Sequence, residues 1–166
     1  MKGAEAHFTG YFPGLIGRVV ELHARYYHEV WGLDLSFEIQ VARELSEFMG
    51  AFVPGRDGFW AARCQGEFAG FMAIDGSLSG KEGARLRWFI VEPAFQGRGV
   101  GGALLREGMR FCQKAGHRRV FLWTFEGLDT ARRLYEREGF RLVFQHEVVQ
   151  WGRVIKEQRF QWEAQS

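Results

Sequence analysis

Apolar and aromatic positions between Pro13 and Val30 (Ile16, Val19, Val20, His23, Tyr26, Tyr27 and Val30) recur every three or four residues, which predicts a helix with Pro13 at its start. A second run of helical period spans Phe37 to Phe52, and Pro54-Gly55-Arg56-Asp57-Gly58 follows it as a turn. The period then changes. Phe59–Cys64 and Phe68–Ile74 alternate about Gln65-Gly66-Glu67, which predicts a β-hairpin. A Gly/Ser-rich loop, Asp75–Gly83, leads to a strand at Leu86–Val91. Beyond it the pattern gives a helix over Val100–Ala115, a strand at Val120–Phe125, a helix over Leu128–Glu138 and two strands turning near Trp151-Gly152. With a short extended piece at His7–Phe12, this order predicts an α+β fold, helices packed on a partly antiparallel sheet, rather than strict strand-helix alternation.

Neither an internal repeat nor a linker interrupts the pattern, so residues 1–166 read as one domain. Hydrophobic residues at 46% and aromatics at 16% suffice for a packed core. The net charge is +2 with the signs interspersed, which points to a small-molecule partner and away from nucleic acid. Cys64 and Cys112 stand far apart, the pattern of reduced thiols in a cytoplasmic chain, and Cys112 beside Phe111 reads as packing. His23 and His28, five apart, do not share a helix face as metal ligands would, so no metal site is expected. No apolar signal core opens the chain and no run approaches the ~20 apolar residues of a membrane span, so neither secretion nor a membrane is expected.

The densest chemistry lies in Val91-Glu92-Pro93-Ala94-Phe95-Gln96-Gly97-Arg98-Gly99-Val100-Gly101-Gly102, just ahead of a helix. Alternating glycines let consecutive backbone N–H groups converge on one point, and the positive end of the helix dipole adds to them. Such a cradle suits a pyrophosphate. Gly97, Gly99 and Gly102 also match the dinucleotide pattern G-x-G-x-x-G, with Glu126 past the next strand as a ribose partner. Against that reading, Glu92–Gln96 separate strand from glycines, Pro93 ends the ladder, and the forty residues after Glu126 are too few for a doubly wound sheet.

Val91-x-Pro93-x-x-Gln96-x-x-Gly99-x-Gly101, then a helix, a strand and Ala131-x-x-x-Tyr135-x-x-x-Gly139-Phe140, resemble the GNAT superfamily of acyl-CoA-dependent N-acetyltransferases, most strongly over residues 85–140. More narrowly, Leu86–Val91, Leu122–Phe125, Gly127–Tyr135 and Trp151–Phe160 look like the acetyltransferase domain fused behind winged-helix MarR-type regulators, although too few residues precede the core for a winged-helix half. The resemblance implies a mixed, mostly antiparallel central sheet of about six or seven strands flanked by about four helices. It also implies acetyl-CoA as co-substrate, direct acetyl transfer to a small primary amine or amino acid, and a chain able to form a homodimer.

Residue roles follow from the same resemblance. Backbone groups of Phe89, Ile90 and Val91, on a strand that splays from its neighbour, would hold the acetyl and pantetheine end. Gln96, Gly97, Arg98, Gly99, Val100, Gly101 and Gly102 would take the pyrophosphate through main-chain N–H groups. Tyr135, which also shares a helix face with Leu128, Ala131 and Leu134, would protonate the departing thiolate. A phenol of pKa ~10 is a workable acid for a thiolate whose thiol has pKa ~8.5. The helical aromatics His23, Tyr26, Tyr27 and Trp31 would line the acceptor pocket, where Arg25 or Arg87 would meet an acceptor carboxylate. Two positions depart from the family pattern. Leu128 stands where many members have an asparagine, and the glutamates that act as base in some members fall at Arg85 or Trp123. Glu92, Asp75, Glu21 and His23 remain as candidate bases. The competing function class is an acyl-CoA-sensing or interaction module that keeps the fold without turnover.

Overall fold

The computed structural model describes residues 5–166. These residues form seven strands, β1 (His7–Thr9), β2 (Gly58–Cys64), β3 (Glu67–Asp75), β4 (Ala84–Val91), β5 (Arg119–Phe125), β6 (Arg141–Gln150) and β7 (Arg153–Glu163). Four helices accompany them: α1 (Leu15–Trp31), α2 (Leu35–Gly50), α3 (Val100–Ala115) and α4 (Asp129–Arg137). The strands lie side by side in the order β1-β2-β3-β4-β5-β7-β6. Neighbours are antiparallel except β4 and β5. The α+β class and the element count are those expected from the sequence.

Helix ends follow local chemistry. Gly14, with φ 94°, turns the chain into α1, so Pro13 lies outside the helix rather than in its first turn. At the other end Gly32 donates to the His28 carbonyl at 2.9 Å and Leu33 reaches back to that of Tyr27 at 3.2 Å, a Schellman-type stop. The Asp34 side chain caps α2 by accepting from the Ser36 N–H at 3.0 Å. The predicted N-terminal extension pairs only over His7–Thr9, while β4 begins two residues before Leu86, because Ala84 and Arg85 find partners on β5.

The helices sit on both faces of the sheet. On one, α1 and α2 press Leu15, Val19, Leu45 and Phe48 against Phe71, Ala73 and Ile90. On the other, Leu104, Leu105 and Met109 of α3 and Tyr135 of α4 meet Met72, Ile74, Leu86, Leu122 and Phe160. Covered from both sides, β3 is buried from Phe68 to Ile74, which explains its nearly continuous apolar run. Cys112 is packed into the second layer, and burial pushes its thiol up to about 12. Among the described residues, no helix is long and apolar enough to cross a membrane.

One departure from regularity shapes the molecule. The parallel strands β4 and β5 pair only at Ala84↔Val120 and Arg85↔Phe121, and beyond that point they part. In the same stretch β4 slips register against β3 between Phe71 and Ala73, and Trp88 takes a left-handed φ of 52°. A bulge there turns the strand and opens the sheet into a fork.

Candidate active site

The fork leads into a cleft of about 790 Å³ lined by residues of both faces of the sheet. At one end lies the glycine loop. Pro93–Phe95 form a single 3-10 turn after β4, and the Gln96 side chain donates back to the Val91 carbonyl at 3.2 Å. Gly97 and Gly99 have φ of 76° and 82°, and nothing lies within 4 Å of where a Cβ would stand on either. Helix α3 starts at Val100 with no acidic residue in its first turn, so its unpaired N–H groups and positive dipole end face the open space unopposed. Gln96, Gly97, Gly99, Val100, Gly101 and Gly102 all line the cleft, as do Phe89, Ile90 and Val91 on the parted stretch of β4. The Arg98 side chain turns away and packs 5.5 Å over the Phe95 ring.

Tyr135 of α4 lines the cleft. Its ring is held by Phe89 at 5.8 Å and by Phe140 and Phe160 at 6.1 Å each. Burial, reinforced by the nearby phenol of Tyr27, raises its pKa far above the ordinary tyrosine value, so its proton is in place at any physiological pH. The hydroxyl makes no hydrogen bond to another described residue.

The other half of the cleft is aromatic. Tyr27 packs on Phe37 at 5.1 Å and Phe125 at 5.8 Å, Trp31 meets Phe125 at 5.1 Å, and Trp151 meets Phe37 at 5.1 Å while donating its indole N–H to Gln40 at 2.9 Å. His23 and Tyr26 join them on the wall. His23 is buried, and burial lowers its pKa to about 4 despite the hydrogen bond to the Val19 carbonyl. Arg87 also reaches the cleft, but it is neutralised by Glu44 and, at 3.5 Å, by Asp75. Arg25 is exposed and pairs with Glu21 at 3.3 Å, outside the cleft.

Of the four candidate bases, His23 lines the cleft, while Glu21, Asp75 and Glu92 do not. Sequence reasoning passed over Glu157, which lines it from β7 and accepts from His146 at 2.9 Å. Its place in the quoted Trp151–Phe160 segment was the available signal. Arg85 was singled out there only as a departure, yet it sits in the cleft wall.

A sheet forked beside a glycine-lined helix N-terminus, with a tyrosine on the facing helix, defines an acyl-CoA-type transferase fold. Residues 16–140 match the acetyltransferase (GNAT) family, and the chain belongs to it. An uncharacterised N-acetyltransferase of Methanocaldococcus jannaschii is 34% identical over 105 residues, 60% of this chain and 45% of that protein. N-acetylaspartate synthetase of Danio rerio is 28% identical over 121 residues, 72% of this chain and 43% of the relative. The chain thus spans less than half the length of these curated relatives. A Salmonella typhimurium protein solved with its cofactor acetyl-CoA has the same fold, with TM-score 0.76 at 15% identity over 95% of this chain and 93% of the other. Acetyl-CoA is the donor of this family, and the site fits it. The open glycine cradle suits a pyrophosphate, and the parted main chain of β4 suits an amide-bearing arm.

Proposed function

We propose that the protein is an acetyl-CoA-dependent N-acetyltransferase that transfers the acetyl group directly to a small primary amine or amino acid. One observation carries this reading: a single cleft runs from the glycine cradle, past the protonated Tyr135, into an aromatic chamber. In this assignment Gln96–Gly102 hold the pyrophosphate through main-chain N–H groups, and Phe89, Ile90 and Val91 hold the pantetheine arm. Bound acetyl-CoA supplies an acetyl group activated as a thioester, open to attack by a neutral amine. His23, Tyr26 and Tyr27 enclose the acceptor beside Arg87.

An amine of pKa about 10.4 is almost wholly protonated at neutral pH, so the site must take a proton from it. Glu44 is held by Arg87, whereas Glu157 is a half-buried carboxylate steadied by His146, and we assign it this step, directly or through water. Glu157 takes the first ammonium proton before attack. As the C–N bond forms and the C–S bond breaks, Tyr135 gives its proton to the leaving sulfur, and the second proton, shed by the acylated nitrogen, returns to Tyr135 through water, so protons and charge balance.

The Danio rerio relative is named for making an N-acetylated amino acid, which supports that branch of the acceptor class. A cytoplasmic location accompanies the reading, as does a homodimer, supported by Val143, Phe144, Val149 and Val154 standing exposed on the outer hairpin. The likeness of the Trp151–Phe160 segment to regulator-fused acetyltransferase domains belongs to the same proposal. A panel of primary amines and amino acids, scored by release of CoA thiol, tests the function. Tight acetyl-CoA binding without thiol release on any acceptor would replace it with the sensor reading.

A further inference from the structure

Arg85 has no counter-ion within ion-pair distance among the described residues. It lies two residues before Arg87 on β4, ahead of the bulge, so the two side chains leave the same face of the strand. Arg87 is neutralised by Glu44 and Asp75, but Arg85 makes no ion pair or hydrogen bond with any described residue, and its Nε–H is buried without a partner. No carboxylate comes within ion-pair distance of it: Glu44 and Asp75 pair with Arg87, Glu157 accepts from His146, and all three act on Arg85 only at longer range. Burial, then the repulsion of Arg87, lower its pKa to about 10 against the longer-range attraction of Glu44, Asp75 and Glu157, which leaves the guanidinium charged at neutral pH. Four buried side-chain polar atoms among the described residues lack a partner. Three of them, Arg85 Nε, Trp31 Nε1 and Gln150 Oε1, belong to residues that line the same cleft. Unsatisfied buried polar atoms are rare in folded proteins, and a cluster in one cavity points to a ligand that completes them.

We propose that Arg85 determines acceptor specificity by pairing with a carboxylate on the acceptor, which is therefore an amino acid with an apolar or aromatic body rather than a simple alkylamine. The inference rests on the acetyltransferase reading above. Planar guanidinium and carboxylate match in a bidentate pair, and the aromatic walls around Tyr27 and Trp31 take the apolar remainder.

The test uses compounds that differ by one group. Each of the common amino acids is compared with its decarboxylated amine, for example L-phenylalanine with phenethylamine, in wild type, Arg85→Lys and Arg85→Met. The wild type is expected to favour the carboxylate-bearing member by about 10- to 100-fold in kcat/KM, the scale of a buried charge-assisted pair. The ratio falls toward one in Arg85→Met and is partly kept in Arg85→Lys. In parallel, 3-phenylpropionate, which has the carboxylate but no amine, is titrated calorimetrically. It should bind wild type and lose that binding in Arg85→Met. The melting temperature of Arg85→Met, expected near the wild-type value, shows that the variant folds. A wild type that prefers the decarboxylated amines, 3-phenylpropionate that fails to bind or binds both proteins alike, or an Arg85→Met chain that unfolds would each overturn the proposal. If acetyl-CoA fails to bind while 3-phenylpropionate binding still depends on Arg85, the acetyltransferase reading falls and the anion site stands.

Discussion

Acidifying the protein titrates one buried group whose cost can be worked out. His23 is 5% exposed on α1, and its Nδ1 lies 2.8 Å from the Val19 carbonyl. A carbonyl can only accept, so Nδ1 carries the proton and Nε2 is left as an acceptor. Burial brings the imidazole pKa from 6.5 down to about 4. Between those values the unfolded chain binds the proton that the folded chain refuses, so stability is complete above the unfolded pKa and is lost as pH falls through the window. Linkage puts the loss at about 1 kcal/mol at pH 5.5 and about 3 kcal/mol at pH 4, relative to pH 7. Against a total of about 5–15 kcal/mol for an ordinary domain, the second figure is a large fraction. His23→Asn can still donate an amide N–H toward Val19 but does not titrate. Urea unfolding of both proteins at the three pH values checks the reasoning: from pH 7 downward the wild type should lose those amounts more than His23→Asn does. Parallel curves would refute it.

Three further outcomes test the catalytic assignment. Tyr135→Phe keeps the ring contacts with Phe89, Phe140 and Phe160, so the melting temperature and calorimetric acetyl-CoA affinity should hold while kcat falls by about 10²- to 10⁴-fold; an unchanged kcat reduces Tyr135 to packing. Gly99→Glu puts a charged side chain on a residue with φ 82° that borders open space, and calorimetry should find acetyl-CoA binding abolished; normal affinity would contradict the cradle. Glu157→Gln should lower kcat by about 10²-fold or more on an accepted amine, whereas an unchanged kcat assigns the base elsewhere.

The parts of this site that the sequence displays are those built from contiguous residues. Gln96 to Gly102 and the start of α3 form one unbroken segment, so their spacing alone reports the cradle. Tyr135 is found only through the resemblance of Ala131-x-x-x-Tyr135-x-x-x-Gly139-Phe140 to the family motif. What the sequence hides depends on partners far along the chain. Nothing local to Trp88 announces a left-handed residue, because the bulge arises from the mismatch between β4 and its partner β3. Arg85 and Arg87 are alike in sequence, and only Glu44, 43 residues away from Arg87, decides which of them is neutralised. Pro13 misled for a related reason: its neighbour Gly14 takes the left-handed turn that starts α1.

A flat sheet would keep its two layers apart, with His23, Tyr27 and Arg85 on one side and Gly99, Gly101 and Tyr135 on the other. The fork removes that separation. Arg85 belongs to the last pair that β4 and β5 make before they diverge, so its charge sits where the opening begins. Past it, residues from both layers line one cavity, and the Tyr27 phenol, in the first layer, contributes to raising the pKa of Tyr135 in the second. The glycine loop, Tyr135 and the aromatic half of the cleft therefore meet because two parallel strands stop pairing after two residues each. A substitution that extended the pairing of β4 with β5 would close the route between the two halves while leaving each of their side chains in place.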